Sequence, residues 1–271
     1  MGDKPGPIYE AQIVFYKPSD LPFSIRLGKF EPWYAKSPGK TQTHFGYSPL
    51  SLTSGANDST LANSKPGIGT IWYISQSLLA FVDIYYLEGG PEGFIRLVAK
   101  TLDGEVGVFV NSGSRRFDRF QQFEDFRDNY IRPGIDFAIF PVNFLEVSGF
   151  AAFALHTNPT GEGERKGYIS SYLETEIFPF QLFAVVLRGE LLRPLEFRHE
   201  EGTTETAHQG TSLFPKHVEG GESAEGAETT IWGVISLQHY IRQNAKILAE
   251  FKANFNELEK SVFFVGTHFA F

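Results

Sequence analysis

The sequence predicts an all-β chain, a transmembrane antiparallel up-and-down β-barrel with long loops on one side and short turns on the other. Three observations carry this reading. Apolar and polar residues alternate over many short segments, which gives a strand one apolar and one wet face. Turn signals separate some segments by two or three residues and others by long Ser-, Gly- and Glu-rich stretches. No uncharged apolar run reaches the roughly 18 residues that a membrane-crossing helix needs.

Composition fits. Aromatics make up 15% of 271 residues, with 27 Phe and 11 Tyr, yet mean hydropathy is −0.18. Many large apolar groups in a chain that is not apolar on average implies alternation rather than apolar blocks. With no cysteine, disulfides and thiolate metal sites are excluded.

The elements follow in order. In "IYEAQIVFYKPSDLPFSIRLGKFEP", Tyr9, Ala11, Ile13 and Phe15 alternate with Glu10, Gln12, Val14 and Tyr16, and "KPSDLP" is a turn. Residues 33–67 are rich in Ser, Gly, Pro, Thr and Asn and read as a long functional loop. The signals "EGGPEG" and "DG" then divide the stretch from Ile68 to Asn111 into strands. In "RRFDRFQQFEDFRDNY", Phe117, Phe120, Phe123 and Phe126 recur every third residue, as on a short helix within a loop at 113–133. "IDFAIFPVNFLEVSGFAAFALHT" is apolar on both parities and reads as a hairpin in which alternation fails. Alternation resumes in "YISSYLETEIF" and "LFAVVLRGELLRPLEFRHE", followed by a polar loop at 199–229.

The closing stretch supports two periods. Val234, Leu237, Ile241, Asn244, Leu248, Phe251, Phe255, Leu258 and Val262 form a heptad seam. Read every second residue, Ala245, Ile247, Ala249, Phe251, Ala253 and Phe255 form one face of a strand, with Leu248 the exception on the other. "SVFFVGTHFAF" decides for strands. Phe263, Val265, Thr267, Phe269 and Phe271 alternate, and no helix C-cap intervenes. Phe263, Val265, Phe269 and Phe271 therefore mark a barrel-closing strand whose outer face meets lipid.

The charged parity would then line a watery interior. Arg96, Lys100, Arg188, Arg198, Lys246 and Lys252 stand there against Glu10, Asp83, Glu174, Glu190 and Glu250. These charges either set ion selectivity or keep the interior wet, and both readings stay open. Arg115, Arg116 and Arg119 facing Glu124, Asp125 and Asp128 would make a constriction loop if the segment folds inward, or a salt-bridged exposed helix if it does not.

The closing segment resembles bacterial outer-membrane porins of the phosphate-selective type. "HYIRQNAKILAEF" is similar to their penultimate hairpin, "VGTHFAF" to their terminal strand, and "IRLGKFEP" to a stretch near their start. The resemblance implies an outer-membrane location, lipid as the surrounding partner, and passive diffusion of small hydrophilic solutes or ions. A homo-oligomer is compatible with it. Two features depart from the family: the chain is shorter than its members usually are, so fewer strands, about 12, are expected, and the mixed signs on the lumen parity put anion selectivity in doubt. Separately, "MGDKPGPIYE" shows no secretory signal, which counts against export unless the numbering is that of a mature chain.

Other functions find little support. A net charge of −8 without a basic stripe excludes nucleic acid as a partner. The seven histidines show no metal-ligand spacing, no cofactor motif is present, and G-x-S-x-G and P-loop signatures are missing. The chain reads as one domain over 1–271 and as no enzyme. The alternative is a soluble β-rich binding or shell-forming protein.

Overall fold

The computed structural model describes residues 11–18, 21–35, 65–87, 90–117, 126–157, 165–195, 229–242 and 245–269. They form β1 (Ala11–Phe15), β2 (Phe23–Phe30), β3 (Lys65–Tyr73), β4 (Leu78–Leu87), β5 (Gly90–Thr101), β6 (Gly104–Phe117) and β7 (Phe126–Val142). β8 (Leu145–His156), β9 (Lys166–Phe180), β10 (Phe183–Leu195), β11 (Thr230–Arg242), β12 (Ala245–Asn254) and β13 (Val262–Phe269) complete the set. The thirteen strands lie in sequence order in one sheet, one more than the sequence suggests. Every pairing is antiparallel, as in an up-and-down barrel.

Connections are asymmetric. Strands joined from odd to even number use short turns, such as Leu102–Asp103, Asn143–Phe144 and Gln181–Leu182. The ends of β2 and β3, and of β10 and β11, that the longest connections join lie on the opposite side. The long loops anticipated at both 33–67 and 113–133 are shorter than their sequence bounds, because β3 starts at Lys65, β6 runs to Phe117 and β7 begins at Phe126. The helical reading of the Phe repeat is corrected as well. Phe117 and Phe126 are Cα partners in the β6–β7 ladder, while Phe120 and Phe123 lie outside the described residues. Backbone pairing with a neighbouring strand overrides a three-residue period that spans two strand ends.

The heptad seam is not used either. Val234 is buried and Leu237 exposed on the same strand, β11, so the seam divides between opposite faces. Leu248, the exception to alternation, points inward and is buried.

The two faces are inverted relative to a water-soluble sheet. Ile84 is 63% exposed and its neighbour Asp83 1%. The same step recurs at Ile95 and Arg96, Ile135 and Asp136, Leu173 and Glu174, and Ile235 and Ser236, with the apolar member outside and the polar one buried. A continuous exposed apolar band of this kind is a lipid-facing surface. It overturns the soluble alternative, since water would meet the Ile, Val and Leu side chains. β5 to β11 contain 12 to 17 residues each, enough to cross a bilayer at a barrel tilt.

The hairpin whose alternation failed has a physical reason. Phe150, Ala152 and Ala154 on β8 are apolar yet buried inside. Phe150 belongs to an interior aromatic cluster with Phe30, Tyr34, Tyr85, Phe94, Phe109 and Tyr172.

Candidate functional site

The interior face is built by crossing three strands at a time over a glycine. Arg26 on β2 and Asp83 on β4 flank β3, and both are Cα partners of Gly69. Their bidentate pair, with Nε–Oδ1 at 3.2 Å and Nη2–Oδ2 at 2.5 Å, passes directly over that glycine. A Cβ at Gly69 would lie 2.1 Å from Asp83 Oδ1. The same arrangement recurs over Gly107, where Arg96 on β5 reaches Asp136 on β7 at 2.8 Å, and a Cβ would lie 2.5 Å from Arg96 Nε and from Asp136 Oδ1. At Gly113 the Tyr130 hydroxyl of β7 donates to Glu92 of β5, with Glu92 and Tyr130 both Cα partners of the glycine. Lys65 donates to the other oxygen of Glu92.

Gly69→Val therefore drives a branched side chain into an ion pair that has nowhere to move. The expected loss of stability is about 3 kcal/mol, read as a lowered urea midpoint in detergent. Gly189→Ala on β10, where an added Cβ meets nothing within 4 Å, stays within about 0.5 kcal/mol of the parent. Equal effects at the two positions would remove the packing role given to Gly69.

The other wall mixes charges as well. On β10, Arg188 lies 4.0 Å from the centre of the Tyr172 ring and is held by Glu174 at 3.3 Å and Glu190 at 2.5 Å. Arg96 likewise takes a second carboxylate, Glu105, at 2.9 Å. Glu250 on β12 is buried and faces Ser236 across the β11–β12 ladder. Lys246 and Lys252 lie beside it; Lys246 also donates to Gln238 at 2.9 Å and Lys252 sits 4.6 Å from the centre of the Trp232 ring.

After β2 the chain turns inward. Tyr34 meets Phe94, Phe109 and Phe150 edge-on at 5.3, 5.2 and 5.6 Å. Those three rings and Tyr172 stack along four strands, with interplanar angles of 29°, 21° and 5°. The Ala35 amide donates to Asp136 Oδ2 at 2.6 Å, and Trp33 stacks on Phe81. Trp33 to Ala35 thus narrow the interior at the level of the Arg96–Asp136 pair.

Of the residues singled out from sequence, Arg96, Arg188, Glu190 and Glu250 are buried inside, and Lys246 and Lys252 are half-buried on the same face. Lys100 is instead exposed at the end of β5, beside the Leu102–Asp103 turn. Arg198 lies outside the described residues. The proposed constriction loop is corrected in part. Arg115, Arg116 and Asp128 belong to strands β6 and β7, where Arg115 and Asp128 are Cα partners, whereas Arg119, Glu124 and Asp125 lie outside the described residues. Asp128 is spent on His156, 2.5 Å away, with the Tyr130 and Tyr168 rings stacked on the imidazole. Phe263 and Val265 are exposed on β13 and Phe269 pairs with Ala245, while Phe271 lies outside the described residues.

Tyr34 and the Lys65–Glu92–Tyr130 group were not anticipated. The glycines at 69, 107 and 113 were the available signal, since a strand-interior glycine marks a close approach.

No protein-family model matches the chain, and no curated protein does. Solved structures do match. OmpT, an outer membrane protein of Vibrio cholerae, folded in vitro, superposes with a TM-score of 0.57 at 10% identity, over 91% of this chain and 76% of that one. Its loop L8 deletion mutant gives 0.58 at 11% identity, over 91% and 75%. A porin refined at 1.8 Å gives 0.52 at 10% identity, over 92% and 77%. The fold is that of a bacterial outer-membrane β-barrel. With its apolar outer band, that fold places the barrel in an outer membrane with lipid around it.

Proposed function

We propose that this barrel is a porin, a passive route for small hydrophilic solutes or ions, with no catalytic step. The observation that carries the reading is the inversion of the two faces. Charged side chains line the inside of strands whose outer residues are Ile, Val, Leu and Phe, and a polar lumen is what a diffusion channel requires. Non-catalytic use also suits the Asp128–His156 pair, which is buried between two tyrosine rings rather than set in an open cleft.

Purified protein, shown to be folded by a heat-dependent shift in gel mobility, is expected to give stepwise conductance in a planar lipid bilayer. Folded protein that inserts and stays silent would overturn the reading. Tyr34→Ala removes the ring that fills the space between Phe94, Phe109 and Phe150. It should raise single-channel conductance while lowering stability by about 3–5 kcal/mol. Unchanged conductance would mean that Tyr34 does not narrow the path.

A further inference from the structure

We propose that the pore passes cations in preference to anions, phosphate included, and that Glu105 and Glu250 set the preference. This rests on the porin reading and names the class of solute for it.

Phosphate is held by guanidinium forks whose N–H groups are free to donate. Four of the interior cations are matched to carboxylates, while Arg132 lies over the Tyr130 ring beside Asn111. Arg26 is taken up by Asp83 and Lys65 by Glu92. Arg96 and Arg188 each carry two, Asp136 with Glu105 and Glu174 with Glu190. Among the described residues, eight buried carboxylates stand against five buried arginine and lysine side chains, so the interior carries an excess of negative charge.

Glu250 adds to the excess. It is 1% exposed and faces Ser236 across the β11–β12 ladder, with Lys246 and Lys252 as neighbouring charges. Buried carboxylates in excess of the cations around them raise the local concentration of cations and disfavour anions. Glu105 has the complementary position. Its side chain is 21% exposed and follows Gly104, the first residue of β6, so it meets solutes near the short-turn end while Glu250 acts deeper inside.

The test is the reversal potential of the full chain in a diphytanoyl phosphatidylcholine bilayer under a steep KCl gradient, followed by addition of inorganic phosphate. The expected sign is that of a potassium-preferring pore, with KCl current unaffected by phosphate. Glu105→Gln and Glu250→Gln, both near-isosteric, should each reduce the potassium-to-chloride permeability ratio about twofold, with a larger drop in the double variant. A chloride-preferring or zero potential, block of the current by phosphate, or variants with the parent's ratio would overturn the proposal. Folded protein that never conducts would instead overturn the porin reading beneath it.

Discussion

Replacing Arg96 by methionine is expected to lower the stability of the folded barrel by about 3–5 kcal/mol. The guanidinium is fully buried and is shared by Asp136 and Glu105. Removing it leaves two neighbouring carboxylates, Asp136 on β7 and Glu105 on β6, without the counter-charge they share, in an interior where desolvation is costly. The size of the loss comes from the charges left behind rather than from the strength of the pair itself. Asp136→Asn added to Arg96→Met should therefore recover a substantial part of it. Urea unfolding in detergent, followed by the fluorescence of the three tryptophans, gives both numbers. If the double variant were no more stable than the single one, the loss would have to come from packing against Phe81, whose ring lies 5.9 Å from the guanidinium carbon.

The second large effect lies on the other face of the same sheet. Ile135, in the middle of β7 and 53% exposed, lies opposite Val108, which is also exposed. Ile135→Arg should cost about 2–4 kcal/mol when the protein is folded into lipid vesicles, as expected for a charge near the bilayer midplane. The same substitution on the exposed face of a sheet in water would stay within about 0.5 kcal/mol. A neutral result would mean that this face does not meet hydrocarbon, and the membrane orientation of β7 would have to be abandoned.

Much of the fold was legible in the sequence because lipid and water impose opposite demands on alternate residues of one strand. The sets around Arg96, Arg188 and Glu250 were on the inner parity in the sequence and are inside in the structure. The hardest stretch was "IDFAIFPVNFLEVSGFAAFALHT", since the inner parity there supplies Phe150 and Ala152 to an aromatic cluster and Ala154 to a second apolar cluster with Tyr168 and Leu192. Periodicity detects a contrast between two environments, and that contrast vanishes where the interior is itself apolar. Lys100 shows the converse limit. It keeps the parity of Arg96 but sits at the exposed end of its strand, and parity carries no information about depth.

The interior partnerships were not legible, and the reason is distance along the chain. Arg26 and Asp83 are 57 residues apart, and Ala35 and Asp136 are 101 apart. Each contact depends on the register of several consecutive hairpins, and a one-residue slip in any of them would send the side chain to lipid. The sequence by itself determined that the chain is a barrel with a wet inner face, because a strand crossing lipid must alternate and that rule is local. Only the tertiary structure decided which carboxylate neutralises which guanidinium, that Glu250 is buried opposite Ser236, and that Tyr34 turns back into the interior. Those outcomes are set by strand register, by crossings over glycines such as Gly69 and Gly107, and by a segment folding back, and no local pattern records them.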